Sequence, residues 1–177
     1  MPIKSKKDLW VEMSIREIWT QTNFAGISYS HIDPKALANN DLVFSSIHSF
    51  LSHCAMVSKM LKAVDDEDPT KSIGTVLGIP DTSIIHKRKF RNNLEHYNNE
   101  LKEWIRKFPI GSNIGTYNIG PKSAVQNLNM ILVSHYDPSS EIFTFVNEDF
   151  NLKSMHGEVE RIKIIADNWV RGIQFSG

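Results

Sequence analysis

One cysteine, Cys54, is all the thiol chemistry this chain contains. An intramolecular disulfide is therefore excluded, as is a cysteine-rich zinc site. Cys54 stands among Phe50, Leu51, Ala55 and Val57, which reads as a buried structural thiol. Charge of one sign is also missing. Lys+Arg and Asp+Glu are both 20, so no global field draws in nucleic acid, and such a partner must be met by a local patch. No apolar run reaches the ~18 residues that a membrane-spanning helix requires. The first residues, Met-Pro-Ile-Lys-Ser-Lys-Lys-Asp, form no apolar signal region, and a cytoplasmic protein is expected. There is no glycine-rich phosphate loop, zinc-protease motif or nucleophile elbow. The acidic run Asp65-Asp66-Glu67-Asp68 lacks the alternation and glycine of a calcium loop and reads as a solvated turn. His31, His48, His53, His135 and His156 read as structural or exposed, since no carboxylate stands at ligand spacing beside His48 and His53. No metal and no cofactor is expected.

What is present is an ordinary folding composition. With 177 residues, 41% of them hydrophobic, the chain can bury a core without staples, and one domain over 1–177 is expected. Ser5 with Asp8 fits a capping box, followed by Val11, Ile15, Ile18, Trp19 and Thr22 on one helical face. Whether this helix breaks at Gly26 or continues is left open by the pattern. A second helix over about 40–64 carries the stripe Val43, Ile47, Phe50, Cys54, Val57 and Leu61, widened by Phe44, Leu51 and Ser58. Residues 69–80 read as loop, with Asp81 able to cap a further helix. From Phe90 the residues Leu94, Tyr97, Leu101, Trp104, Ile105 and Phe108 share a face, and Pro109 and Gly111 stop it. The stretch 111–124 reads as a loop rich in Gly, Ser and Asn. A hairpin is expected from 128–136 and 142–146 around Asp137-Pro138-Ser139-Ser140, then a turn at Asn147-Glu148-Asp149. A last helix carries Met155, Val159, Ile162, Ala166, Trp169 and Ile173. The expected fold is mainly α: a four- or five-helix bundle with a small β-hairpin before the last helix.

The chemistry concentrates in Arg91-Asn92-Asn93-Leu94-Glu95-His96-Tyr97. Arg91 is a permanent cation that can grip a phosphate with two donors, and His96 can exchange a proton near neutral pH. RNA brings its own nucleophile, the 2′-hydroxyl, so this pair suffices for phosphodiester cleavage without metal. Asn92 can orient the phosphate or the histidine. On a helix, Asn92, His96, Asn99 and Glu103 form a polar stripe opposite the apolar one, while Arg91 lies roughly 140° from His96. A composite site across a homodimer brings the two together most simply. Just upstream, Lys87, Arg88 and Lys89 complete a dense basic cluster, the expected RNA-binding patch.

Arg91-Asn92-x-Leu94-x-His96 resembles the signature of the HEPN superfamily, an Arg followed four to six residues later by a His. In many members a Tyr lies two residues after the His; here Tyr97 follows immediately. The resemblance covers the motif and the expected helices, roughly residues 5–108 plus the last helix, and leaves the hairpin outside. It implies a HEPN-like helical bundle with a dimeric, metal-independent endoribonuclease, a toxin or antiviral effector in many members, with an antitoxin or effector partner. Other members are catalytically silent binding or assembly modules. A small-molecule, for instance nucleotide, binding role for the Asn92–His96–Asn99 stripe is a third reading.

Overall fold

A computed structural model describes residues 5–32, 39–65, 68–86, 102–107, 109–111, 113–126, 130–146 and 148–175. Helix α1 spans Lys6–Ser30. Its cap is the expected one: Ser5 Oγ accepts from Asp8 N at 3.1 Å and donates to the Asp8 carboxylate at 2.9 Å. The helix runs through Gly26 without a break. Ile15, Ile18, Thr22 and Ala25 are fully buried on its inner face, whereas Trp19, expected there, is 40% exposed. Trp19 sits about 100° round the helix from Ile18, which carries it off the buried arc.

Helix α2 spans Asn40–Leu61, capped by the Asn39 side chain on Leu42 N. All nine residues of its expected stripe are buried. It lies antiparallel to α1, because Ser28 meets Ser49 while Phe24 meets His53. Beyond it the acidic segment is more than a turn. β1, Val64–Asp65, pairs antiparallel with β2, Asp68–Ser72. Ser72 then caps a short helix α3, Ile73–Leu77, in the stretch read as loop, and Gly78 closes it at φ 67, a left-handed conformation that glycine adopts without strain. Asp81 caps no helix; a 3-10 turn follows at Ile84–His86.

The larger correction lies between 113 and 151. Here are β3 Asn113–Gly115, β4 Asn118–Ile119, the short helix α4 Lys122–Gln126, β5 Met130–Leu132, β6 Ser134–Asp137, β7 Ile142–Phe145 and β8 Glu148–Asn151. The expected hairpin holds in part: β6 and β7 pair antiparallel around the turn that Asp137 closes, but 130–132 of its expected first strand forms β5 instead. The hairpin is only the centre of a four-stranded sheet in the order β4-β6-β7-β8, and β3 pairs parallel with β5 in a separate two-stranded sheet. The fold is therefore mixed α/β, and the mainly α bundle expected from sequence is overturned. Strands of two to four residues carry no hydrophobic period, and β4 is held by a partner in β6 across the α4 crossover. The expected turn at 147–149 overlaps the start of β8.

Pairing register puts Ile119, Tyr136, Phe143 and Phe150 on one face of this sheet, with Phe145 beside Phe143. That face packs on the helices: the Phe143 ring lies 6.2 Å from Phe44 and 5.9 Å from His48. Helix α5, Leu152–Phe175, follows β8 directly and buries Leu152, Met155, Val159, Ile162 and Ala166 against α1 and the sheet. The buried residues of all these layers form one core cluster, which Cys54 joins; burial pushes its thiol pKa up, the state of an inert thiol.

Candidate functional site

Arg91, Asn92 and His96, together with Lys87, Arg88 and Lys89, lie outside the described residues. The chain on either side of them is described and anchored in the core. Upstream, Ile85 is 1% exposed, and Ser58 Oγ and His86 Nδ1 stand 3.0 Å apart. Ser83 donates to Glu158, which Arg161 grips with two donors at 2.7 Å each. Downstream, the helical turn at 102–105 buries Trp104 in the same core and leaves Ile105, expected on the apolar face, 49% exposed. The Ser58–His86 pair is structural: Ser58 is 0% exposed, so its hydroxyl meets no substrate.

The described residues gather a second polar constellation that sequence reasoning missed. The row Asn118, His135, Thr144 and Asp149 crosses all four strands on the face opposite the aromatic one. Lys122, at the start of α4, closes over it. Its Nζ donates to both Asp149 oxygens at 2.9 Å and to Thr144 Oγ1 at 3.3 Å, and Thr144 Oγ1 donates to Asp149 Oδ1 at 2.6 Å. Asp137 accepts from Lys122 N at 3.0 Å and from Ser139 N and Oγ at 2.9 and 2.6 Å. Burial raises the Asp137 carboxyl, but these donors outweigh it and hold the pKa at about 2.

At the closed end of the row, His135 is 0% exposed and neither ring nitrogen reaches a partner at hydrogen-bonding geometry; the same holds for Asn118 Nδ2. Gly115 of β3 is packed against this end. A Cβ there would stand within 2.5 Å of both Asn118 Nδ2 and Met130 Sδ, so both side chains would have to move to admit one. The row offers a cation paired to a carboxylate, a hydroxyl and a buried imidazole, and among the described residues no group of His, Cys, Asp and Glu is placed to hold a metal ion. His135 lies on the expected strand and Asp137 opens the expected turn; the structure extends the strand through Asp137, which sets both on one face. Their partners Asn118 and Lys122 could not be paired with them from sequence, because parallel pairing was not legible there.

Burial pushes the His135 pKa below its ordinary value of 6.5; Asp137, the Gly120 backbone and Asp149 oppose this and Lys122 reinforces it. A histidine with a lowered folded pKa is neutral in both states above pH 6.5. As pH falls below 6.5 the unfolded chain takes up the proton first, so stability is lost down to the folded pKa. His48 and His53, also lowered by burial, act in the same direction. His135→Gln should therefore flatten the loss of stability between pH 7 and the acid limb by at most about one proton, about 1.4 kcal/mol per pH unit. Urea unfolding at stepped pH measures this, and equal slopes for both proteins would refute the assignment.

Comparison with protein-family models, curated proteins and solved structures finds no match to this chain. Among the described residues no helix is long and apolar enough to cross a membrane.

Proposed function

We propose that the chain is a metal-independent endoribonuclease acting in the cytoplasm, with Arg91 and His96 at its site and Asn92 in support. The observation that carries this reading is the juxtaposition, within ten residues, of Lys87-Arg88-Lys89 with Arg91-Asn92 and His96. The mixed α/β fold separates the chain from the all-helical bundle its motif suggests, so the proposal rests on the chemistry of these residues. His96 takes the 2′-hydroxyl proton as that oxygen attacks phosphorus. The bond to the 5′-oxygen breaks, the leaving oxygen is protonated, and a 2′,3′-cyclic phosphate remains. Arg91 holds the phosphate and offsets the charge added in the transition state. The reading includes a homodimer in which Arg91 of one copy serves His96 of the other.

Purified protein incubated with a mixed RNA pool and EDTA tests the proposal. Cleavage products ending in cyclic phosphate are expected, and DNA should stay intact because it lacks the 2′-hydroxyl. Intact RNA under these conditions would refute it. Replacing Lys87, Arg88 and Lys89 with Gln should weaken RNA binding and reduce the salt slope by about one for each lost phosphate contact. A filter-binding titration across salt concentrations reads both effects, and an unchanged slope would reduce the cluster to a solvated surface.

A further inference from the structure

The outer face of α1 is apolar where a surface helix is normally polar. Leu9 is 39% exposed, Met13 58%, Phe24 45% and Ile27 57%. At 100° per residue these four fall within one arc, roughly opposite the buried Ile15, Ile18, Thr22 and Ala25. The helix thus has two apolar faces, and its own core uses one. Two exposed apolar pairs, Leu9 with Met13 and Phe24 with Ile27, aligned on one face to either side of Thr20 mark an interaction site.

The arrangement selects the occupant. Met13, Thr20 and Ile27 are seven residues apart on one line, the spacing of a seam between two paired helices. The line is large, small, large about its centre. If a second α1 runs antiparallel with Thr20 against Thr20, Met13 of each copy meets Ile27 of the other, and the small central residue lets the helices approach. The charges nearest this centre, Arg16 and Glu17, then come opposite positions 24 and 23, Phe24 and Asn23, so no like charges are opposed. Arg16 is already neutralised by Glu12 at 2.8 Å. Met56 of α2, 38% exposed and one turn beyond the His53 that touches Phe24, extends the patch. Covering these side chains removes on the order of 500 Å2 of apolar surface from each copy, so about 1,000 Å2 for the pair before a polar rim is counted, the size at which an interface becomes specific. A lipid surface is disfavoured, since acidic Glu12 and Glu17 flank the stripe where a lipid-binding helix carries basic residues.

We propose that two copies of this chain pair through the outer face of α1, antiparallel, about a two-fold axis at Thr20. This does not rest on the ribonuclease reading, because it is scored on the protein alone. Thr20→Cys tests it, helped by the burial of Cys54, the only native thiol, at 1% exposure. Mild oxidation of dilute protein should link Thr20→Cys to itself as a covalent dimer. Met13→Cys mixed with Ile27→Cys should give the crossed dimer in preference to either self-dimer. A cysteine at Ile164, exposed on α5, should stay monomeric. Independently, Met13→Glu should convert the wild-type sedimentation species to monomer with its helical circular dichroism unchanged. A wild-type monomer at tens of micromolar, or a Met13→Cys chain that links preferentially to itself, would overturn the proposal.

Discussion

His96→Ala is expected to abolish RNA cleavage while leaving the fold intact. On the helix that the pattern predicts for 90–108, His96 falls with Asn92 and Asn99 on the side opposite Leu94, Leu101 and Trp104. Of that apolar face two residues are described: Trp104 is core, at 4% exposed, whereas Ile105 is 49% exposed at its margin. Truncating a residue on the polar side opens no cavity, so urea unfolding should move by no more than about 0.5 kcal/mol. Losing general acid–base catalysis typically costs a factor of about 100–10,000, enough to bring a modest nuclease to background. Cleavage at the wild-type rate in EDTA would remove His96 from the chemistry. A variant that fails to fold would instead make His96 a packing residue. The same assay tests the composite site: a mixture of Arg91→Ala and His96→Ala chains should regain part of the activity that each alone lacks.

The helices were legible and much of the sheet was not, for a physical reason. α1, α2 and α5 each bury one face over more than twenty residues, so a period of 3.6 repeats often enough to be read. The strands from 113 to 151 are two to four residues long. β3 and β4 lie in a stretch of Gly, Ser and Asn whose composition signals turns, and they become strands because β5 and β6, after the α4 crossover, supply parallel backbone partners. Pairing between segments that far apart leaves no local trace. The polar row shows the same limit. His135 was visible on an expected strand and Asp137 in the expected turn beside it, whereas the row exists only once register sets Asn118, Thr144 and Asp149 beside them. The outer stripe of α1 was also present in the sequence. An apolar residue off the main face is ordinary, and Leu9, Met13, Phe24 and Ile27 become informative only when their exposure is known.

Phe143→Ala is expected to have the largest effect on stability of any single truncation in the sheet. Phe143 is 0% exposed at the middle of β7. Its ring stands 6.2 Å from Phe44 on α2, 6.0 Å from Phe145 and 6.4 Å from Phe150 on β8. The contact with Phe44 and the neighbouring His48 is where the sheet meets the helical layer, so the cavity opens between two rigid elements that cannot collapse onto it. Truncations of this kind cost about 3–5 kcal/mol, against a typical total of about 5–15 kcal/mol. The urea midpoint should fall accordingly with its slope unchanged, since the same surface is exposed on unfolding. Ile164→Ala is the control: the residue is 59% exposed on the outer side of α5 and should shift stability by no more than about 0.5 kcal/mol. A loss under about 1 kcal/mol at Phe143 would mean that the aromatic face of the sheet is not packed on α2. The mixed α/β architecture depends on that contact, because the opposite face of the sheet carries Thr144, Asp149 and Lys122, whose partly exposed ion pair contributes too little to hold two layers together.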